Sequence, residues 1–142
     1  MKILALDYGT KRIGIALSDE THTLATPRPF LPADPFRKLV ESLKDLIRQE
    51  EVGLVIVGIP RNMDGTYGDA AKNARDFVLH LKEVIPLTVE TVDERLSTVQ
   101  ASRQLQDKGK NTRKQKTLID SESAAVFLQS YLDTLAFRAQ RS

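Results

Sequence analysis

Residues 53–60, GLVIVGIP, form a continuous apolar run bracketed by turn residues. A strand that buries one face alternates polar and apolar positions, so a run with no polar position needs cover on both faces. Such a strand belongs inside a parallel sheet with helices on either side. The neighbouring segments supply those helices. Upstream, Phe36, Leu39, Val40, Leu43, Leu46 and Ile47 recur at helical spacing behind Asp34 and Pro35, which read as N-cap and first helical position. Downstream, Ala70, Ala71, Ala74, Phe77, Val78 and Leu81 mark a second amphipathic helix, and PLTVETVDE (86–94) then alternates as a strand ending in acids. Two strand–helix units in succession predict that the strands within 53–60 and 86–94 run parallel.

The N-terminus carries a different pattern. Ile3 to Leu6 and Ile13 to Leu17 are short β-suited runs around the turn DYGTKR, which predicts an antiparallel hairpin. A third strand over 24–31 carries Pro27 and Pro29 and is followed by Pro32, and each proline removes a backbone donor, so this strand is expected at a sheet edge. Ser97 with Gln100 three residues on is a capping-box signature for a further helix ending near Gly109. Asp120 is expected to open the last helix, whose Ala124, Phe127, Leu128, Tyr131, Leu132 and Leu135 share one face. The expected architecture is an α/β domain with a mixed sheet: three antiparallel strands extended by two parallel ones, flanked by helices.

Length and composition bound the function. A chain of 142 residues suits one domain over 1–142, and 41% hydrophobic with 28% charged residues is ordinary for a soluble protein. No apolar run approaches the roughly 20 residues of a membrane span, which predicts no membrane partner. The absence of cysteine excludes disulfides, thiolate catalysis and cysteine-ligated zinc, and a cytoplasmic location is expected. The formal net charge of +2 conceals an asymmetry. Window 107–116, DKGKNTRKQK, holds five cations against one acid, so the rest of the chain is net acidic.

A few acids end or open elements: Asp7 after the first strand, Asp93 and Glu94 after the fifth, and Asp120 at the last helix. In open α/β sheets, sites form beyond the carboxyl ends of strands, and parallel first and fifth strands deliver their acids to one edge. Gathered carboxylates repel unless a cation neutralises them. Mg²⁺ or Mn²⁺, one or two ions, suits an all-oxygen donor set and the hydrolysis of phosphodiesters. Each acid also has a plain structural use: Asp7 in its turn, Glu94 in a surface pair with Arg95, Asp120 as an N-cap. Glu122 is a second candidate for the role of Asp120. The cations Lys108, Lys110, Arg113, Lys114 and Lys116, read as a basic loop, suit phosphate-backbone contact, with Lys11 and Arg12 on the other flank of Asp7 and Arg95 as a phosphate clamp.

DYGTKRIGIALSD, VGIPRNMDGTYG, VDERLSTVQA and DSESAAVFLQSYLD together resemble the motifs of the YqgF/RuvX family of pre-16S rRNA nucleases. The resemblance implies an RNase H-like fold shared with Holliday-junction resolvases, and divalent-metal nuclease chemistry. By motif it assigns the three acids to Asp7, Glu94 and Asp120. It implies a structured nucleic-acid partner, either pre-16S rRNA or a four-way DNA junction. A junction resolvase cuts two symmetric strands and so would act as a homodimer. Two other classes stay open. LALDYGT also resembles the phosphate loop of sugar kinases and actin-like ATPases, which need two such domains. In a noncatalytic nucleic-acid-binding module, the acids would be structural and the cations would carry function.

Overall fold

The hairpin expected around DYGTKR is present and lies at the centre of the sheet. β1 (Lys2–Asp7) pairs antiparallel with β2 (Arg12–Ser18) and, on its other side, parallel with β4 (Val52–Ile59). β3 (Ala25–Pro32) pairs antiparallel with β2, and β5 (Thr88–Asp93) pairs parallel with β4. The order is β3-β2-β1-β4-β5, a mixed five-stranded sheet. The three prolines of β3 lie on an edge strand, where a missing donor costs no second ladder. This computed structural model describes residues 1–9, 11–59, 68–93 and 112–141, without the side chains at 69–70, 93, 112–121 and 140–141.

Alternation along the strands sorts the core into two layers. Leu4 and Leu6 of β1, with Ile13, Ile15, Val55 and Val57, pack under α1 (Phe36–Glu50) and α2 (Asp69–Val84) through Leu39, Leu43, Phe77 and Leu81. Ile3 and Ala5, with Ala16 and Ile56, pack under α3 (Thr112–Arg141) through Ala124, Phe127, Leu128 and Leu132. Val55, Ile56 and Val57 are all fully buried, so β4 is covered on both faces, as its unbroken apolar run requires. Each such side chain contributes roughly 1.5–3 kcal/mol by leaving water. Small Ala5 and Ala16 make room for the Phe127 ring.

Two helix starts differ from expectation. α1 is capped by Pro35 and not Asp34: Pro35 has φ −74° and ψ 149°, and its carbonyl accepts from the N–H groups of Lys38 and Leu39 at 3.1 and 3.2 Å. The extended ψ delays the first helical residue to Phe36. α3 begins at Thr112, so Asp120 lies inside the helix and does not open it, and Arg113, Lys114 and Lys116 are helical where a loop was expected. Arg, Lys and Gln are good helix formers, and no Pro or Gly interrupts 111–142. The helix expected from Ser97 to Gly109 lies outside the described residues. Among the described residues no helix is long and apolar enough to cross a membrane.

Candidate functional site

Asp7 is the last residue of β1 and is half-buried. Its register partners are Gly14 on β2 and Gly58 on β4, so the position directly paired with it on each neighbouring strand carries no side chain. Ile3 and Ala5 face α3, and the two-residue period of a strand puts Asp7 on that same face. β1, β4 and β5 are parallel, so their carboxyl ends share one edge; Gly58 pairs in turn with Val92, and β5 ends at Asp93. Two interstrand spacings separate β1 from β5, about 10 Å. On β5 the positions facing α3 are the even ones. Val92 packs into the α3 layer, and Glu90 accepts a hydrogen bond from the Tyr131 hydroxyl at 3.2 Å. Burial, and then the Glu90 charge, pushes that hydroxyl's pKa above its usual value.

The turn after Asp7 is tight. A Cβ at Gly9 would stand 2.5 Å from the Arg12 carbonyl oxygen, so only glycine fits without moving the backbone. Lys11 is exposed, and its carbonyl accepts from the Ala33 N–H at 3.0 Å, which ties the turn to the end of β3. The Arg12 guanidinium lies 4.9 Å from the centre of the Phe30 ring. Such a cation–π contact holds a charge while leaving it hydrated on one side. Arg12 shares strand parity with Gly14 and Ala16, which places it on the face of Asp7.

α3 is anchored at the opposite edge of the sheet. The Gln129 side chain accepts from the Ala25 N–H and donates to the Thr23 carbonyl, both at 2.9 Å, at the level where β1 begins. Beyond Leu132 the helix is mostly exposed, with Leu135 partly buried against this layer, while Ala124, Phe127 and Leu128 before it are buried. From Gln129 back to the backbone of Asp120 is about 13 Å of helix. From Ile3 to Asp7 is about 13 Å of strand.

Of the residues singled out in the sequence, Asp7 and Arg12 come to one face, with Lys11 in the turn between them. Glu94, Arg95, Lys108 and Lys110 lie outside the described residues. Asp120, Arg113, Lys114 and Lys116 are described as helical backbone only. Glu122 is half-buried on α3. Among the described residues no three His, Asp or Glu side chains gather as a cation site. The glycines that flank Asp7 escaped sequence reasoning. Their signal was present: a glycine inside a β-branched run often marks close approach by a ligand or another chain.

The chain is similar to known proteins over nearly its whole length. A protein of Thermoanaerobacter pseudethanolicus named "Putative pre-16S rRNA nuclease" is 42% identical over 135 residues, covering 94% of this chain and 97% of its own. One of the same name from a Chelativorans species is 44% identical, covering 96% of this chain and 86% of its own. Among solved structures, T. thermophilus RuvC in complex with a Holliday junction substrate matches 96% of each chain with a TM-score of 0.51 at 12% identity, a likeness of fold that supports the RNase H-like assignment. The family model described as "RuvX: Holliday junction resolvase" matches residues 1–134, and the chain belongs to that family.

Proposed function

We propose that this chain is a divalent-metal-dependent endonuclease that hydrolyses phosphodiesters in structured nucleic acid, with 5′-end processing of pre-16S rRNA as its role. The observation that carries this reading is the setting of Asp7: a carboxylate at the carboxyl end of a central buried strand, flanked by Gly14 and Gly58. Glycine at both paired positions leaves room on that face of the strand end. An acid that must share its oxygens with an ion and a substrate phosphate needs that space.

Mg²⁺ or Mn²⁺ fits this hard-oxygen setting, with Glu94 and Asp120 as the further carboxylates; when bound, it supplies Lewis acidity and lowers the pKa of water. Three features favour that trio. Glu94 follows Glu90 and Val92 at even spacing in the sequence. Asp120 stands four and seven residues before Ala124 and Phe127, the spacing of one helical face. The similar spans from Gln129 back to Asp120 along the helix and from Ile3 to Asp7 along the strand support pairing Asp120 with Asp7. The remaining tasks fall to the cations. Arg12, held over Phe30, orients a backbone phosphate beside Asp7, and Lys11 adds charge at the turn. Arg95, Lys108, Lys110, Arg113, Lys114 and Lys116 extend a basic track for the flanking strand, where contacts position the substrate without reading its sequence.

The names of the relatives support rRNA as substrate; the family description favours a second reading, resolution of four-way DNA junctions by a homodimer. Parallel cleavage of pre-16S rRNA fragments and four-way junctions, each with Mg²⁺ or Mn²⁺, separates them. The expected result is metal-dependent cutting of rRNA that Asp7→Asn abolishes while the fold and most binding persist. Cutting by pure Asp7→Asn protein at the wild-type rate refutes the assignment, and tight binding without cleavage points to a noncatalytic module.

A further inference from the structure

Behind the Asp7 edge, on the opposite face of the sheet, a cleft of about 470 Å³ opens between the end of β1, the start of α1 and α2. That volume falls in the range of roughly 300–1,000 Å³ typical of small-ligand sites. Its aromatic wall is continuous. The Tyr8 and Phe77 ring centres are 5.0 Å apart, Phe36 stands edge-on to Phe77 at 6.1 Å, and His80 stands edge-on to Phe36 at 5.9 Å. Its polar side is acidic: Asp34 precedes α1, while Asn73 and Asp76 lie one turn apart on α2, on the face that carries Phe77. Tyr8 directly follows Asp7 in the chain, and the two residues serve opposite faces of the sheet edge.

This cleft has no part in the chemistry assigned to Asp7. Two carboxylates repel a phosphate, so the substrate backbone is excluded from it. They lack the third ligand of a cation site among the described residues. A planar group with N–H donors satisfies both walls: its face meets the rings and its edge meets acceptors that, when ionised, can only accept. In a nucleic acid that group is an unpaired base, which proteins take up by stacking on aromatic side chains and bonding its Watson–Crick edge. Guanine fits best. It presents two adjacent donors, N1–H and the N2 amine, to one carboxylate, whereas adenine and cytosine offer a single amine and uracil a single N–H.

We infer that the Tyr8–Phe36–Phe77–His80 cleft binds an unpaired guanine of the substrate, placing the phosphate next to it at the Asp7 edge. The inference rests on the nuclease reading, and it supplies what phosphate contacts alone lack, a preference for where along a strand the chain engages.

The test is direct binding to full-length protein in EDTA, where no cleavage intervenes, using oligouridine RNA with one central guanosine, adenosine or abasic residue. Wild type should bind the guanosine probe about 5- to 150-fold more tightly than the abasic one, the usual worth of one stacked base. It should prefer guanosine to adenosine by about tenfold, as a charge-assisted hydrogen bond provides. Phe36→Ala should erase the abasic difference. The surface change Asp76→Asn, combined with Asp34→Asn, should keep that difference and erase the preference for guanosine. Equal binding of all three probes by wild type overturns the inference, as does a guanosine preference that survives the Asp34/Asp76 change. Neither result touches the metal-dependent cleavage that Asp7→Asn tests, so the two readings fail separately.

Discussion

Replacing Gly9 with alanine tests whether the turn beside Asp7 owes its shape to a missing side chain. The new Cβ would sit 2.5 Å from the Arg12 carbonyl oxygen, about 1 Å inside an ordinary carbon–oxygen separation of roughly 3.3–3.6 Å. The opposing atom is backbone, so the clash is relieved only by moving the chain between Tyr8 and Arg12. Overpacking of this kind costs about 1–3 kcal/mol. For a chain of 142 residues the unfolding entropy is about 0.3 kcal/mol/K, so Tm should fall by about 3–10 °C. Asp7 and Arg12 hang on the two ends of this turn, and a displacement of about 1 Å at a reacting centre can cost roughly 100-fold in rate. Gly53 supplies the control. A Cβ there would meet the Met1 side chain at 2.7 Å, but Met1 is 78% exposed and can swing aside. Scanning calorimetry and nuclease assays on both variants decide the matter: Gly53→Ala should stay within about 2 °C of wild type. A Gly9→Ala protein with wild-type Tm and rate, or a Gly53→Ala protein that loses as much, refutes the reasoning.

Two further outcomes concern the start of the sheet. The buried Ser18 hydroxyl accepts from the Ile3 N–H at 2.7 Å, so Ser18→Ala should leave that donor unpaired and cost about 1–3 kcal/mol in urea unfolding with an unchanged m-value; a loss below about 0.5 kcal/mol would mean that another group satisfies Ile3. The hydroxyls of Thr21 and Thr23, followed by the N–H groups of Thr23 and Leu24, hold the Asp19 carboxyl well below the usual carboxylate range. Because its folded pKa is depressed, this contribution is complete above the unfolded pKa of about 3.9 and fades as pH falls through the folded value. The Tm difference between wild type and Asp19→Ala should therefore narrow below about pH 4. A gap that holds constant down to about pH 2 would contradict it.

The sheet was largely legible because hydrophobic periodicity is a local signal. The unbroken run in β4, the paired runs of the hairpin and the three prolines of β3 each announced their place, and the strand order agrees. The start of α3 was not legible. Its first turns, Thr112 to Lys116, carry no apolar residue, so no periodic stripe betrays them, and helix propensity alone is a weak signal. The cap of α1 slipped by one residue because the backbone at Pro35 is a property of the folded chain. The aromatic cleft was equally hidden: Tyr8, Phe36 and Phe77 belong to three separate elements and touch only after α1 and α2 have packed on the same face.

By itself the sequence determined the five strands and the bodies of the three described helices, and its four motifs pointed to a family that the match over residues 1–134 bears out. Register and facing were decided by the tertiary structure alone. That Asp7 stands between Gly14 and Gly58, and that its face is the one covered by α3, follows from how Ala5, Ala16 and Phe127 pack together across the sheet. The reason is physical. A slip of one residue in β1 would leave every local propensity unchanged, yet it would turn Asp7 to the other face, and only the packing of the two layers against each other forbids that slip.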